Sequence, residues 1–263
     1  MIDLDRRDGV ALLTLNAPGR RNALTVGMAE ALIAACEEID ADESVGAVVV
    51  RGAGGYFCAG GDRATLADAG TDPAEGERYA GMTTIYRSFA RVGELLAPTI
   101  AAITGGAVGA GLNLALATDL RVVAEDAVLL SGFLPIGLHP GGGHTALLGR
   151  LGSRETAAAL TLFGERVTGA QAAERGLAWA AVPADQVDAT AEQLASVPAK
   201  DPALARRTAA SLRASLGPPA LPWSAALEFE HGRVKAFQFK ADTMRVQLGS
   251  FVTLTAKDFF LDT

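Results

Sequence analysis

The chain has 263 residues and a formal net charge of −7. That length buries a full core in one large domain, or in one domain with an appendage. The negative balance argues against a nucleic-acid surface, because phosphate binding needs a basic face. A small anionic ligand held by a few arginines stays open. Cys36 and Cys58 have no CxxC partner, so neither a metal site nor a disulfide framework is expected. The N-terminal MIDLDRRDGV lacks an apolar signal core, and no apolar run approaches the ~20 residues that span a bilayer. A cytoplasmic enzyme or binding protein, with no nucleic-acid or membrane partner, is the expectation.

Ile2–Leu4 and Val10–Leu15 flank Asp8-Gly9, which reads as a hairpin. Asn16–Asn22 is a Pro/Gly/Asn loop. Thr25 is placed to cap an amphipathic helix over Val26–Asp40. Ala47–Val50 is a compact β-branched strand, and Gly52–Asp62 a glycine-rich turn after it. Ala64–Arg78 reads as a mobile or broken helix, and Tyr79–Leu96 as a helix ending before Pro98. Thr99–Thr104 is a buried strand. It runs into Gly105, Gly106, Gly109 and Gly111, and Leu112–Ala117 is helical.

Leu120–Ala124 and Ala127–Leu130 are two more strands, and Pro135–Gly143 is a third glycine loop. Thr145–Arg150, Arg154–Phe163 and Thr168–Arg175 are helical, with Gly176 ending the last of these and a short apolar stretch at Leu177–Val182. Helical patterns over Gln186–Ser196, Pro202–Leu216 and Ala225–Gln247 follow. Strands alternating with helices predict an α/β core with a mainly parallel sheet. The expected division is a core over 1–196 and a C-terminal helical region over 197–263.

Two glycine turns after two apolar strands, side by side, can each aim a backbone N–H at one point. Such a pair stabilises a carbonyl oxygen as it gains negative charge. The alternative is a pair of tight turns that pack helices closely on a sheet. A dinucleotide-binding fold is the weaker option, because neither turn reads GxGxxG with a suitably spaced acidic residue.

Five stretches in order resemble the enoyl-CoA hydratase/isomerase, or crotonase, superfamily. They are Arg20–Leu24 (RRNAL), Phe57–Asp62 (FCAGGD), Pro98–Asp119, Pro140–Gly152 and Thr168–Leu177. The resemblance implies a crotonase-like spiral of ββα units with a helical C-terminal region, assembled as trimers or dimers of trimers. It implies an acyl- or enoyl-CoA thioester as ligand, with CoA as part of the substrate, no further cofactor and no metal. The oxyanion donors would be the N–H groups of Gly61 and Ala110. The CoA side would run along Arg20, Arg21, Ala23, Leu24, Ala59 and Asp62. Arg20 and Arg21 would meet CoA phosphates or, alternatively, sit solvated in their loop. Asp62 also reads as a cap for its own turn.

The chain departs from the family where hydratases carry two glutamates. Those positions fall on Asn113 and Phe133, neither of which exchanges a proton near neutral pH. The expected base is therefore His139, in the third glycine loop. His144, at the start of the next helix, is a second candidate or a structural hydrogen-bonding residue. Asn113 would orient a water. Phe133, Leu134 and Leu138 would form an apolar pocket near the reacting carbons. His231 reads as a surface residue. Double-bond isomerisation, atypical hydration, and acyl-CoA binding without turnover all remain open.

Overall fold

The computed structural model describes residues 1–62, 64–66 and 76–217. The chain divides into two units, Met1–Ala209 and Ala210–Thr263. His231 and the helical pattern over Ala225–Gln247 lie outside the described residues, as does the middle of the Ala64–Arg78 segment.

β1 (Ile2–Arg7) and β2 (Val10–Leu15) form the hairpin, with Asp8 at φ 50° and Gly9 at φ 76°. Two consecutive positive φ values are what an Asp-Gly hairpin turn requires. α1 (Val26–Ala41) follows, and the Thr25 side chain accepts from the Met28 N–H at its start. Next come β3 (Ala47–Gly52), α2 (Gly76–Gly93), β4 (Thr99–Ile103), β5 (Gly106–Val108) and α3 (Ala110–Ala117). β6 (Leu120–Ala124) and β7 (Val128–Leu130) precede α4 (His144–Leu151) and α5 (Arg154–Leu162). β8 (Arg166–Thr168), α6 (Gly169–Glu174), β9 (Ala180–Val182), α7 (Val187–Ala195) and α8 (Pro202–Leu216) complete the described chain.

The larger sheet has the order β1-β2-β3-β4-β6-β9 and is parallel from β2 onward. Every residue of β4 is buried, as are the first four of β3. An unbroken apolar run rather than an alternating one is the signature of a strand covered on both faces. α7 packs on β3, β4 and β6. α1 lies against α2, and α2 against α3.

The smaller sheet, β5-β7-β8, positions the site. β5 follows β4 and β7 follows β6, so each pair sends one strand to each sheet before its helix. The chain after β3 does the same without a full strand, since Cys58 bridges Ala107 in parallel register. The Cys58 N–H donates to the Gly106 carbonyl at 3.1 Å, and the Val108 N–H donates to the Cys58 carbonyl at 3.0 Å. The Gly109 N–H donates to the Leu130 carbonyl at 3.0 Å. Three successive ββα units therefore end their second strands in one row: at residues 58–61, 108–110 and 130–132.

β5 and β8 are absent from the sequence-based expectation. Each is three residues long, and β5 is Gly-Ala-Val inside a glycine run, where propensity carries no strand signal. Neighbouring strands, not local preference, extend these residues.

Candidate active site

The first glycine turn is held by the loop before α1. Asn22 is fully buried with φ 56°. Its Oδ1 accepts from the Ala17 N–H at 2.7 Å, and its Nδ2 donates to the carbonyls of Ala53 at 2.9 Å and Tyr56 at 2.6 Å. The Ala59 N–H donates to the Arg21 carbonyl at 2.9 Å, and the Leu24 N–H to the Gly60 carbonyl at 2.7 Å. RRNAL is thus stitched along the turn, and Leu24 is buried for that reason. Asp62 Oδ2 accepts from the Ala64 N–H at 3.1 Å, a turn-capping bond.

The second turn approaches the first closely. A Cβ on Gly111 would lie 2.3 Å from the Cys58 carbonyl oxygen, so only glycine lets α3 start there. Gly109, with φ 53° and ψ −116°, holds a conformation that L side chains avoid, and it directs the chain into α3.

Between the turns lies a cavity lined by Ala59, Gly60, Gly61, Gly109 and Ala110 from the two turns, and by Ser131, Gly132 and Phe133 from the third. Leu66, Met82, Tyr86, Asn113, Ile136 and Leu138 also contribute to its lining. None of these residues is charged. Among the described residues, the N–H groups of Gly61 and Ala110 have no acceptor. An unpaired backbone N–H away from water is costly, so two on one cavity mark a place for an oxygen. The Ala110 N–H also opens α3, where the helix dipole is positive.

One face of the cavity is a chain of hydrogen bonds among buried side chains. Asn113, on α3, donates from Nδ2 to the Gly141 carbonyl at 3.0 Å. A carbonyl only accepts, which turns Oδ1 toward His144 Nδ1 at 2.6 Å. Nδ1 must therefore carry the imidazole proton. Nε2, 2.6 Å from Ser131 Oγ, is left to accept from the serine hydroxyl. Burial drives the His144 pKa down to about 4, so the ring is neutral near pH 7. Phe133 packs edge-on against it, with ring centroids 4.9 Å apart.

The structure brings Gly61, Ala110, Asn113, Phe133, Leu138 and Ala59 to one cavity, with His144 directly behind it. His139 is not brought there. It is exposed, its Nδ1 lies 2.7 Å from the Pro140 carbonyl, and it faces a separate surface depression. Leu134, 47% exposed, lines that same depression and not the cavity. The reason is local. Leu134–Ile136 winds into a 3-10 turn closed by Gly137 at φ 73°, which carries residues 134 and 139 outward. Asn113 is 1% exposed, and both ends of its amide are engaged by protein groups. Arg20 and Arg21 are exposed, and the Arg21 guanidinium stands 5.5 Å from the Tyr56 ring centroid. Ala23 is half-buried beside them.

Ser131 is missed by sequence reasoning. Ser131-Gly132 follows an apolar strand just as the first two turns do, and that parallel was the available signal.

The sequence profile of the enoyl-CoA hydratase/isomerase family matches residues 5–250. The chain belongs to this family. It is similar to the probable enoyl-CoA hydratase EchA14 of Mycobacterium tuberculosis, at 40% identity over 247 residues, covering 94% of this chain and 93% of that one. It is also similar to the 1,2-epoxyphenylacetyl-CoA isomerase of Escherichia coli K12, at 36% identity over 190 residues and 71% of each chain. The crystal structure of an enoyl-CoA hydratase from Polaromonas sp. JS666 superposes with a TM-score of 0.82 at 26% identity, covering 96% of this chain and 95% of that one. The fold of this family member is therefore crotonase-like α/β.

Proposed function

We propose that the cavity binds the thioester carbonyl of an acyl- or enoyl-CoA between the N–H groups of Gly61 and Ala110, and that this polarisation is the basis of its catalysis. The unpartnered pair of N–H groups on an uncharged cavity carries this reading. Donors fixed in a water-poor site stabilise an enolate or tetrahedral oxyanion far better than they would in water. CoA enters as part of the substrate, and no other cofactor is invoked. Arg20 and Arg21, exposed at the outer end of the first turn, suit the CoA phosphates.

The hydratase glutamate positions carry Asn113 and Phe133, so ordinary hydration through two carboxylates does not fit. The absence of charge among the described lining residues also favours a second reading, acyl-CoA binding without turnover. Crotonyl-CoA hydration and 3-enoyl-CoA isomerisation, measured with binding on wild type and His139→Ala, separate the alternatives. Thioester binding with equal rates in both proteins is expected. A large loss in His139→Ala would return that residue to the mechanism, and failure to bind any CoA thioester would end the proposal.

Assembly as a trimer or dimer of trimers is part of the same proposal. The strongly exposed Leu162 and Phe163 support burial against a second copy. Light scattering on the full chain tests it.

A further inference from the structure

We propose that Ser131 is an acyl-accepting nucleophile, activated by His144 and aligned by Asn113, so that the site hydrolyses CoA thioesters through a serine ester. This rests on the reading of Gly61 and Ala110 as thioester donors and adds a reaction to it.

Four features carry the inference. The Ser131 hydroxyl is hydrogen-bonded to an imidazole nitrogen that accepts, at 2.6 Å. The other ring nitrogen is held protonated by Asn113 Oδ1, itself fixed by the Gly141 carbonyl. Nucleophile, base and orienting group within hydrogen-bond reach are the arrangement that makes a serine hydroxyl reactive. Ser131 lines the same cavity as Gly61 and Ala110. It stands at the third strand end of the row, and a Cβ on Gly109 would lie 3.5 Å from its carbonyl oxygen. A base, a nucleophile and two oxyanion donors thus share one small space, which is the set that acyl transfer needs.

The chemistry balances without a redox partner. Ser131 Oγ bonds to the thioester carbon while its proton passes to His144 Nε2, and the oxyanion forms against the two N–H groups. The C–S bond then breaks, and the Nε2 proton leaves with CoA as the free thiol. Water adds to the serine ester and gives a proton to Nε2, which returns it to Oγ as the ester C–O bond breaks. The products are a carboxylic acid and the CoA thiol. The orienting group is an amide rather than a carboxylate, and so cannot stabilise an imidazolium by charge. Both steps are therefore slow, and the acyl ester accumulates.

The full chain, incubated with acetyl-CoA and with crotonyl-CoA, is assayed for released thiol and, after acid quench, for acylated peptide by mass spectrometry. The protein's own thiols add little background, since Cys36 and Cys58 are buried and pushed up to about 12. The expected result is an acyl adduct on Ser131, with thiol release falling at least ~100-fold in Ser131→Ala while that variant still binds acyl-CoA. A purely structural trio would form no adduct. The proposal is overturned if wild type binds the thioester but forms no adduct and releases no thiol, or if Ser131→Ala releases thiol at the wild-type rate. Absence of thioester binding by wild type overturns the parent reading with it. The adduct measurement needs no variant, so a misfolded Ser131→Ala leaves the test intact.

Discussion

Replacing Gly111 with alanine sets two physical rules against each other. In an exposed helix the change is favourable by up to about 1 kcal/mol, because alanine loses less backbone freedom. At Gly111 the new methyl would sit 2.3 Å from the Cys58 carbonyl oxygen, 2.8 Å from its Cβ and 2.9 Å from its carbonyl carbon. Two of these are backbone atoms, so no side chain can swing away. Relief requires the two turns to part by about 1 Å, which strains the bond from the Val108 N–H to the Cys58 carbonyl. Overpacking of this kind costs about 1–3 kcal/mol, and a lost buried hydrogen bond about 1 kcal/mol more. The net expectation is destabilisation by about 1–3 kcal/mol, with weakened thioester binding because the two N–H groups no longer share a point.

Gly149, within α4, is the internal comparison. It is exposed, and a Cβ there meets nothing within 4 Å. Gly149→Ala should stabilise by about 0.5–1 kcal/mol. Urea midpoints of the two variants and wild type decide the matter. If Gly111→Ala unfolds at or above the wild-type midpoint while Gly149→Ala is raised, the close approach of the turns is refuted.

Three further expectations follow from named contacts. His144 titrates near 6.5 unfolded and near 4 folded, so the unfolded state binds the extra proton between those values. Stability is thus unaffected above about pH 6.5, falls as pH drops toward 4, and loses about 3 kcal/mol in all. Urea titrations from pH 7 to 4.5 should show this slope reduced by about one proton in His144→Gln, and equal slopes would disprove it. Asn22→Ala strands one N–H and two carbonyls, so a loss of about 2–4 kcal/mol is expected by thermal or urea unfolding. A loss under half a kcal/mol would contradict the stitching role. Arg206 donates to the carbonyls of Ile39 and Asp40 in the last turn of α1 and of Asp42 and Val45 just past its end. Arg206→Ala should cost about 2 kcal/mol, and Arg206→Lys should restore only part of it, since a lysine cannot reach four carbonyls from one plane.

The long elements were legible because their signals are local. Asp8-Gly9 announces its hairpin, Thr25 its helix, and the β-branched run at 47–50 its buried strand. The glycine turns were legible as a pair because each follows such a strand. His139 and Leu134 show where sequence spacing stops being informative. Loop residues one to six positions from Phe133 point by the path of the 3-10 turn and by Gly137, not by periodicity. The Ser131–His144–Asn113 chain was hidden for a related reason. Its members lie 13 and 31 residues apart, and only the stacking of three ββα units brings them into contact. The sequence marks His144 as a candidate hydrogen-bonding residue, but nothing in its spacing names the partners.

On the proposed reading, the uncharged lining of the cavity divides the ligand between two solution regimes. A thioester held by backbone N–H groups in an apolar pocket has no ionic atmosphere to lose when it binds. A phosphate tail resting on exposed Arg20 and Arg21 would have one, screened over about 8 Å at physiological ionic strength. Added salt should therefore loosen full CoA thioesters and leave a pantetheine thioester, stripped of its phosphates, almost untouched. Ionic strength becomes a dial that turns the grip on the carrier without turning the grip on the cargo.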